Sequence, residues 1–418
     1  MKYMMIVCAA AAFVAACVFV GAALVLRDCK PQDDLMEFVD EKDIPDEDNV
    51  YAGFVAATNA VKEWVDTEEF SSIKPERKAA LVATNSEAIA LFREAAHRKY
   101  WLDYSCRENW RNGLCLFSGS VFSKMYHLMR WETELEIENG QIEAAMANVR
   151  ALAALSETMQ GGAESVVCWL FGRAPRRTAL DCARRIALLP DTTAETLQEL
   201  CRMAHSLSDT ERNRQTLYNL VGREALYTFS GAQRTLEREL SSKKSTIVSC
   251  CLYQPNRTKH IYNDIAIRAR TLLTNDYCKA KWADYYEVMN GFCHRYFVPN
   301  SSGRVLLAAV VPAWENVAEN AAMGDFAGRA TEIVISAELY RRRNGKMPDS
   351  LSALVPEFMP SVPTDPYKPD SALNYDAQRG IIWTVGEDGN FNGDKEPDKD
   401  SYGRNRRYVV NMDGTNAK

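Results

Sequence analysis

Residues 4–26 contain no charged residue and no proline. A bilayer is spanned by a helix of about 20 apolar residues, so this run is long enough to cross one. It constrains everything downstream, because whatever follows must fold beside a lipid surface or after a cleavage. A secretory signal peptide has an apolar core of only about 7–15 residues. Val14-Ala15-Ala16-Cys17 has the form of a lipoprotein box, but the nine residues after Cys17 stay apolar, where a mature lipoprotein continues into a polar tether. The expectation is an uncleaved, single-pass transmembrane anchor over 1–26. Lys2 precedes the run and Arg27 and Lys30 follow it, so the positive-inside rule gives little orientation. A short N-terminal tail rarely needs export, and the body is expected on the extracytoplasmic side.

The remaining chain has globular composition: of 418 residues, 47% are hydrophobic and 25% charged. The net charge of −6 and the absence of a long basic stripe exclude a nucleic-acid partner. Arg341-Arg342-Arg343 and the basic residues of 404–407 read as solvated element ends. Twelve cysteines occur, ten of them outside the apolar run. No Cys-x-x-Cys is present. An oxidising compartment would allow pairs such as Cys106 with Cys115 or Cys278 with Cys293; Cys168, Cys182 and Cys201 read as small buried apolar residues.

Residues 27–50, rich in Asp, Glu and Lys, read as a linker. Pro45 and the acids after it suit the first turn of a helix. From 51 to 320 the apolar spacing is helical, as at Leu81, Ile89, Leu91 and Phe92. Residues 121–155 read as an αα-hairpin turning at Asn139-Gly140. No 34-residue period runs through the region, which predicts an irregular bundle or array. Leu252 to Asn263 and Pro299 to Gly303 read as loops, and Gly161-Gly162 as a helix break. Six prolines between 348 and 369 forbid a long helix there. Residues 372–375, 380–385 and 407–410 read as strands. Residues 321–418 therefore form a separate α+β unit, led by a helix over 323–343 that Asn344-Gly345 closes. The fold class expected is mainly α, with a small C-terminal α+β unit.

That last unit carries an ordered series of motifs. Ala337-Glu338-Leu339-Tyr340 leads into Asn344-Gly345-Lys346-Met347-Pro348. Leu354-Val355-Pro356, Asp365-Pro366-Tyr367, Leu373-Asn374-Tyr375 and Trp383-Thr384-Val385-Gly386-Glu387-Asp388-Gly389 follow. The order resembles the C-terminal globular part of type II secretion major pseudopilins. It is also similar to the C-terminal region of membrane-anchored proteins from planctomycete-like bacteria. Pseudopilins join this region directly to their membrane helix, whereas here nearly 300 residues intervene. The N-terminus also lacks the prepilin cleavage pattern, so pilus assembly is not implied.

Asp388-Gly389-Asn390-Phe391-Asn392-Gly393-Asp394 matches the start of an EF-hand-type loop. Alternate side chains in such a turn converge, and calcium takes six to eight oxygens. Asp388, Asn390 and Asn392 would give side-chain oxygens and Asp394 a backbone carbonyl. The twelfth position is Lys399 rather than Glu, so Asp398 or Asp400 would serve only along a different path. The resemblance implies calcium in this loop; the residues alone equally fit an ion-free turn.

No catalytic residue is assignable. Glu94 and His97 have Glu-x-x-His spacing, but a di-iron site needs a second such motif. Trp101, Tyr104, Trp110 and Phe117 surround Cys106 and Cys115 and read as core or as a groove. Two functions remain. One is an interaction or structural protein with protein partners. The other is a hydrolase-type enzyme whose site lies between the helical region and the C-terminal unit.

Overall fold

The computed structural model describes residues 28–31, 33, 44–64, 73–103, 119–242, 253–277, 281–285, 287, 300–311, 314–387, 389–393 and 408–413. The apolar run 4–26 lies outside them; among the described residues no helix is long and apolar enough to cross a membrane. The chain is mainly helical, with a small sheet region near its C-terminus.

The helices are α1 Val50–Asn59, α2 Pro75–Thr84, α3 Ser86–Ala95, α4 Gly119–Glu138, α5 Ile142–Gly162 and α6 Val166–Ala187. After them come α7 Ala194–Leu207, α8 Thr210–Arg223, α9 Ser230–Ser242, α10 Pro255–Leu273, α11 Ser301–Val310 and α12 Trp314–Asn344. Polar residues fix many of the starts. Asn49, Ser165, Thr193 and Asp209 each accept a backbone N–H of the helix that follows. Pro45 introduces a separate 3₁₀ turn, Asp46–Asp48, ahead of α1. Between α8 and α9, Glu224–Phe229 forms a π-helical turn.

The hairpin read from 121–155 is α4 and α5. Its turn places Gly140 at φ 68°, a left-handed conformation that suits glycine. Leu81, Ile89 and Phe92 are buried, but Leu91 is exposed. The buried Asn85 separates α2 from α3; its Oδ1 accepts from Lys62 N at 2.9 Å and its Nδ2 donates to Leu81 O at 3.0 Å.

Two stretches read as loops differ from expectation. Residues 255–263 are helical: Pro255 opens α10 at a first-turn position, where its missing N–H costs nothing. Gly303 lies inside α11. A Cβ there would come within 2.0 Å of Thr258 Oγ1, so the glycine permits α11 to close on α10. Asp28, in the stretch read as linker, accepts from Asn256 N at 2.8 Å and Arg257 N at 2.9 Å, which caps α10.

Helix α12 begins nine residues before the expected 323 and ends as expected, with Gly345 at φ 77° and its N–H on Arg341 O at 2.8 Å. Residues 330–338 are all buried, right round the helix. Such a helix must be covered on every side. Trp314, Val317, Ala318 and Ile335 join the large helical core, whereas Phe326, Ala330, Ile333, Val334 and Ala337 join a second core. The second core is completed by Leu351, Leu354, Met359, Leu373, Ile382, Val410 and Met412.

The strands are β1 Thr364–Asp365, β2 Lys368–Ala372, β3 Asn374–Asp376, β4 Ile381–Trp383 and β5 Val409–Asn411. β1 and β2 form one antiparallel pair; β3, β4 and β5 form an antiparallel sheet in that order. Tyr375, Ile382 and Val410 stand in register across this sheet, on the face that packs against α12.

Candidate functional site

A cavity of about 270 Å³ opens where α8, the end of α10, the middle of α12 and the β1–β2 region meet. Leu217, Leu273, Ala318 and Ala322 give it an apolar floor. Its rim is polar. Asp325 is buried, and its carboxylate takes Arg176 Nη2 at 3.1 Å and Asn213 Nδ2 at 2.7 Å. Burial pushes the Asp325 carboxyl up, and the Arg176 and Arg329 guanidinium groups oppose that shift. Arg176 also donates to Leu207 O.

Two glycines of α12 make the arrangement sterically feasible. A Cβ on Gly324 would stand 3.0 Å from Arg176 Nη1, and one on Gly328 would stand 2.7 Å from Ser208 Cβ. Arg329 straps the two parts of the molecule together. It donates to Thr210 Oγ1 at 2.6 Å and to Thr364 O at 2.6 Å. Tyr277 and Tyr367 meet edge-on at 5.2 Å on the same border. Asp276 pairs with Arg214. A second cavity, about 160 Å³, shares Asn213, Leu217 and Ala321 with the first and is walled by the buried Trp169. Every carboxylate on the first cavity's rim faces a guanidinium. The cavity thus joins an apolar floor to a rim whose two carboxylates, Asp276 and Asp325, are each paired with an arginine.

The residues singled out in the sequence that fall within the described ones lie elsewhere. Asn390 and Asn392 are exposed on either side of Phe391, whose ring packs on Tyr408 at 5.7 Å. Asp388, Asp394, Asp398 and Asp400 fall outside the described residues. Gly389 and Gly393 adopt φ 70° and 80°, and the Gly393 carbonyl accepts from Arg379. Among the described residues no group of three or more His, Cys, Asp or Glu is placed to hold a metal.

Glu94 and His97 are both exposed, and His97 lies past the end of α3. Trp101 is core: it meets Tyr51 at 5.7 Å and Phe122 at 6.3 Å. Tyr104, Trp110, Phe117 and both suggested cysteine pairs fall outside the described residues. Cys168 and Cys182 are free and buried, and burial pushes the Cys182 thiol up to about 12. Cys201 is free and half-buried. His127 lies between Tyr126 and Trp131; burial, with help from Arg130, lowers it to about 4.

Sequence reasoning missed Arg176, Asn213, Asp325 and Arg329. Arg176 and Asp325 are 149 positions apart, beyond any local periodicity. The available signal was Gly324-Asp325-x-x-Gly328, an acid between two glycines inside a long helical pattern.

Known protein families, curated proteins and solved structures were compared with the chain, and none matches.

Proposed function

We propose that this is a membrane-anchored, extracytoplasmic protein that acts by binding, as an interaction or structural component, rather than by turning over a substrate. The observation that carries this reading is the compensated rim of the interface cavity. A hydrolase with its site between the helical region and the C-terminal unit would use this same cavity. It would need a carboxylate free to take or give a proton. Asp325 and Asp276 are each bonded to an arginine instead. The anchor rests on the uncharged run 4–26 and its length.

The C-terminal unit is pseudopilin-like in this proposal. Its support is the motif order from Ala337 to Gly389, and a long helix packed on a small antiparallel sheet. Calcium is its proposed ion, held by Asp388, Asn390 and Asn392 with Asp394, Asp398 or Asp400 completing the set. At 100 times its dissociation constant an ion stabilises by about 2.7 kcal/mol. The full chain is then expected to melt higher in millimolar calcium than in chelator, and Asp388→Ala to abolish the difference. Equal melting of both proteins in both buffers sinks the calcium assignment.

The binding reading is tested on the full chain in detergent. Small polar fragments screened by ligand-observed NMR are expected to bind, and Ala321→Phe, which fills the cavity, is expected to remove that binding. No turnover of p-nitrophenyl acetate or p-nitrophenyl glycosides is expected. Turnover that disappears in Asp325→Asn would overturn the binding reading in favour of the hydrolase.

A further inference from the structure

The segment just after the apolar run is fastened to one end of one helix. Asp28 accepts the N–H groups of Asn256 and Arg257 at 2.8 and 2.9 Å. Asn256 Nδ2 donates to Cys29 O at 3.1 Å. His260 Nε2 lies 3.1 Å from Lys30 O, and Asn263 Nδ2 donates to Asp33 O at 3.3 Å. Residues 28–31 and 33 therefore run along the first turns of α10. The apolar run ends at Leu26, two residues before Asp28.

We infer that the N-terminal end of α10 and the adjoining start of α11 form the face of the body that lies on the bilayer surface. This rests on the anchor reading of residues 4–26. The two helices meet there: Asn300 Oδ1 accepts from Gln254 N at 2.8 Å and from Thr258 Oγ1 at 3.0 Å. Lys30, Arg257, Lys259 and Arg304 lie on these same short stretches. Asp28 caps the helix start and the exposed Asp33 lies on the same strap, so basic residues outnumber acids at this end, a balance suited to lipid phosphates. Val305, the next residue of α11, is 52% exposed. A valine beside basic side chains suits an interfacial position, where apolar and charged groups sit at adjacent depths. The opposite end of α10 is about 28 Å away, at 1.5 Å per residue.

The test uses the full chain in vesicles of phosphatidylcholine and phosphatidylglycerol. A photo-crosslinking amino acid is placed singly at Lys259, Val305, Asn275 or Asp349. Retention after carbonate washing is measured first, then crosslinking to lipid. Expected are full retention and lipid adducts at 259 and 305, several-fold above those at 275 and 349. Asp28→Ala is expected to leave retention unchanged while lowering the adduct yield at 259. Retained protein that crosslinks equally at all four sites, or chiefly at 349, overturns the orientation and leaves the anchor standing. Release by carbonate overturns the anchor and this face together. An unchanged yield in Asp28→Ala removes the clamp as the cause.

Discussion

The helical body and the C-terminal unit both bury acids, and they satisfy them by different means. In the C-terminal unit Asp365 is fully buried and takes Thr384 Oγ1 at 2.6 Å, Val385 N at 2.8 Å and Tyr367 N at 2.9 Å. Two of its three donors are backbone. In the body Asp325 takes a guanidinium and an amide side chain. The cause lies in the secondary structure. A helix consumes its own N–H groups except in its first turn, whereas loops and short strands leave theirs available. Helical regions must therefore bring a side-chain donor to a buried acid, or bring the acid to a helix start. The body does both. Glu224 is buried and accepts Val166 N, at the start of α6, at 2.7 Å. Asp28 does the same for α10.

This contrast breaks most visibly where a side chain is the donor. Arg176→Met removes the guanidinium bonded to the buried Asp325, and losing one partner of a buried pair costs about 3–5 kcal/mol. Urea denaturation is expected to show that loss. The double variant Arg176→Met/Asp325→Leu should recover most of it, and failure to recover would mean that the arginine matters through Leu207 instead.

Next in size is pH. Burial raises the Glu224 carboxyl to about 7. A folded-state value above the unfolded one means that the native state holds the extra proton. Stability is then full below about 4.5 and falls as pH rises to about 7, by roughly 3 kcal/mol at 1.36 kcal/mol per pH unit. Glu224→Gln keeps an oxygen for Val166 N and should flatten that slope, raising stability above pH 7. Parallel slopes for both proteins in pH-dependent unfolding would refute this.

A smaller effect is expected in the C-terminal unit. Thr384→Val removes one of three donors to Asp365 and leaves two backbone bonds, which predicts a loss of about 1.5–3 kcal/mol. Hydrogen exchange should localise it to the strands, with the body's protection unchanged. The smallest expected loss is at Asp28→Ala, where a helix start gives up its cap for about 1 kcal/mol. Increased exchange should be confined to the first turn of α10.

How much of this was readable in advance follows from range. The α4–α5 hairpin, the end of α12 at Asn344-Gly345 and the positions of β3 to β5 rest on neighbours within a few residues, and they stand close to where the sequence puts them. Pro255 and Gly303 misled because proline marks both loops and helix starts, and glycine marks both breaks and close crossings. The deciding fact, Thr258 facing Gly303, is 45 positions away. The cavity was out of reach for the same reason. Its lining is drawn from α8, α10, α12 and the β1–β2 region, and pairing between distant charges leaves no periodic trace. The motif in 388–394 was visible because it is local, and its acids lie outside the described residues.

The sharing of α12 between two cores has a consequence for what happens when the chain is cut. Five of the second core's residues, from Phe326 to Ala337, belong to this helix. Proteolysis after Gly345 would strip the sheet away and leave that stripe facing water, at the spacing by which one helix pairs with another. The shortened chain would be sticky rather than merely smaller, and two copies would satisfy each other along the bared seam.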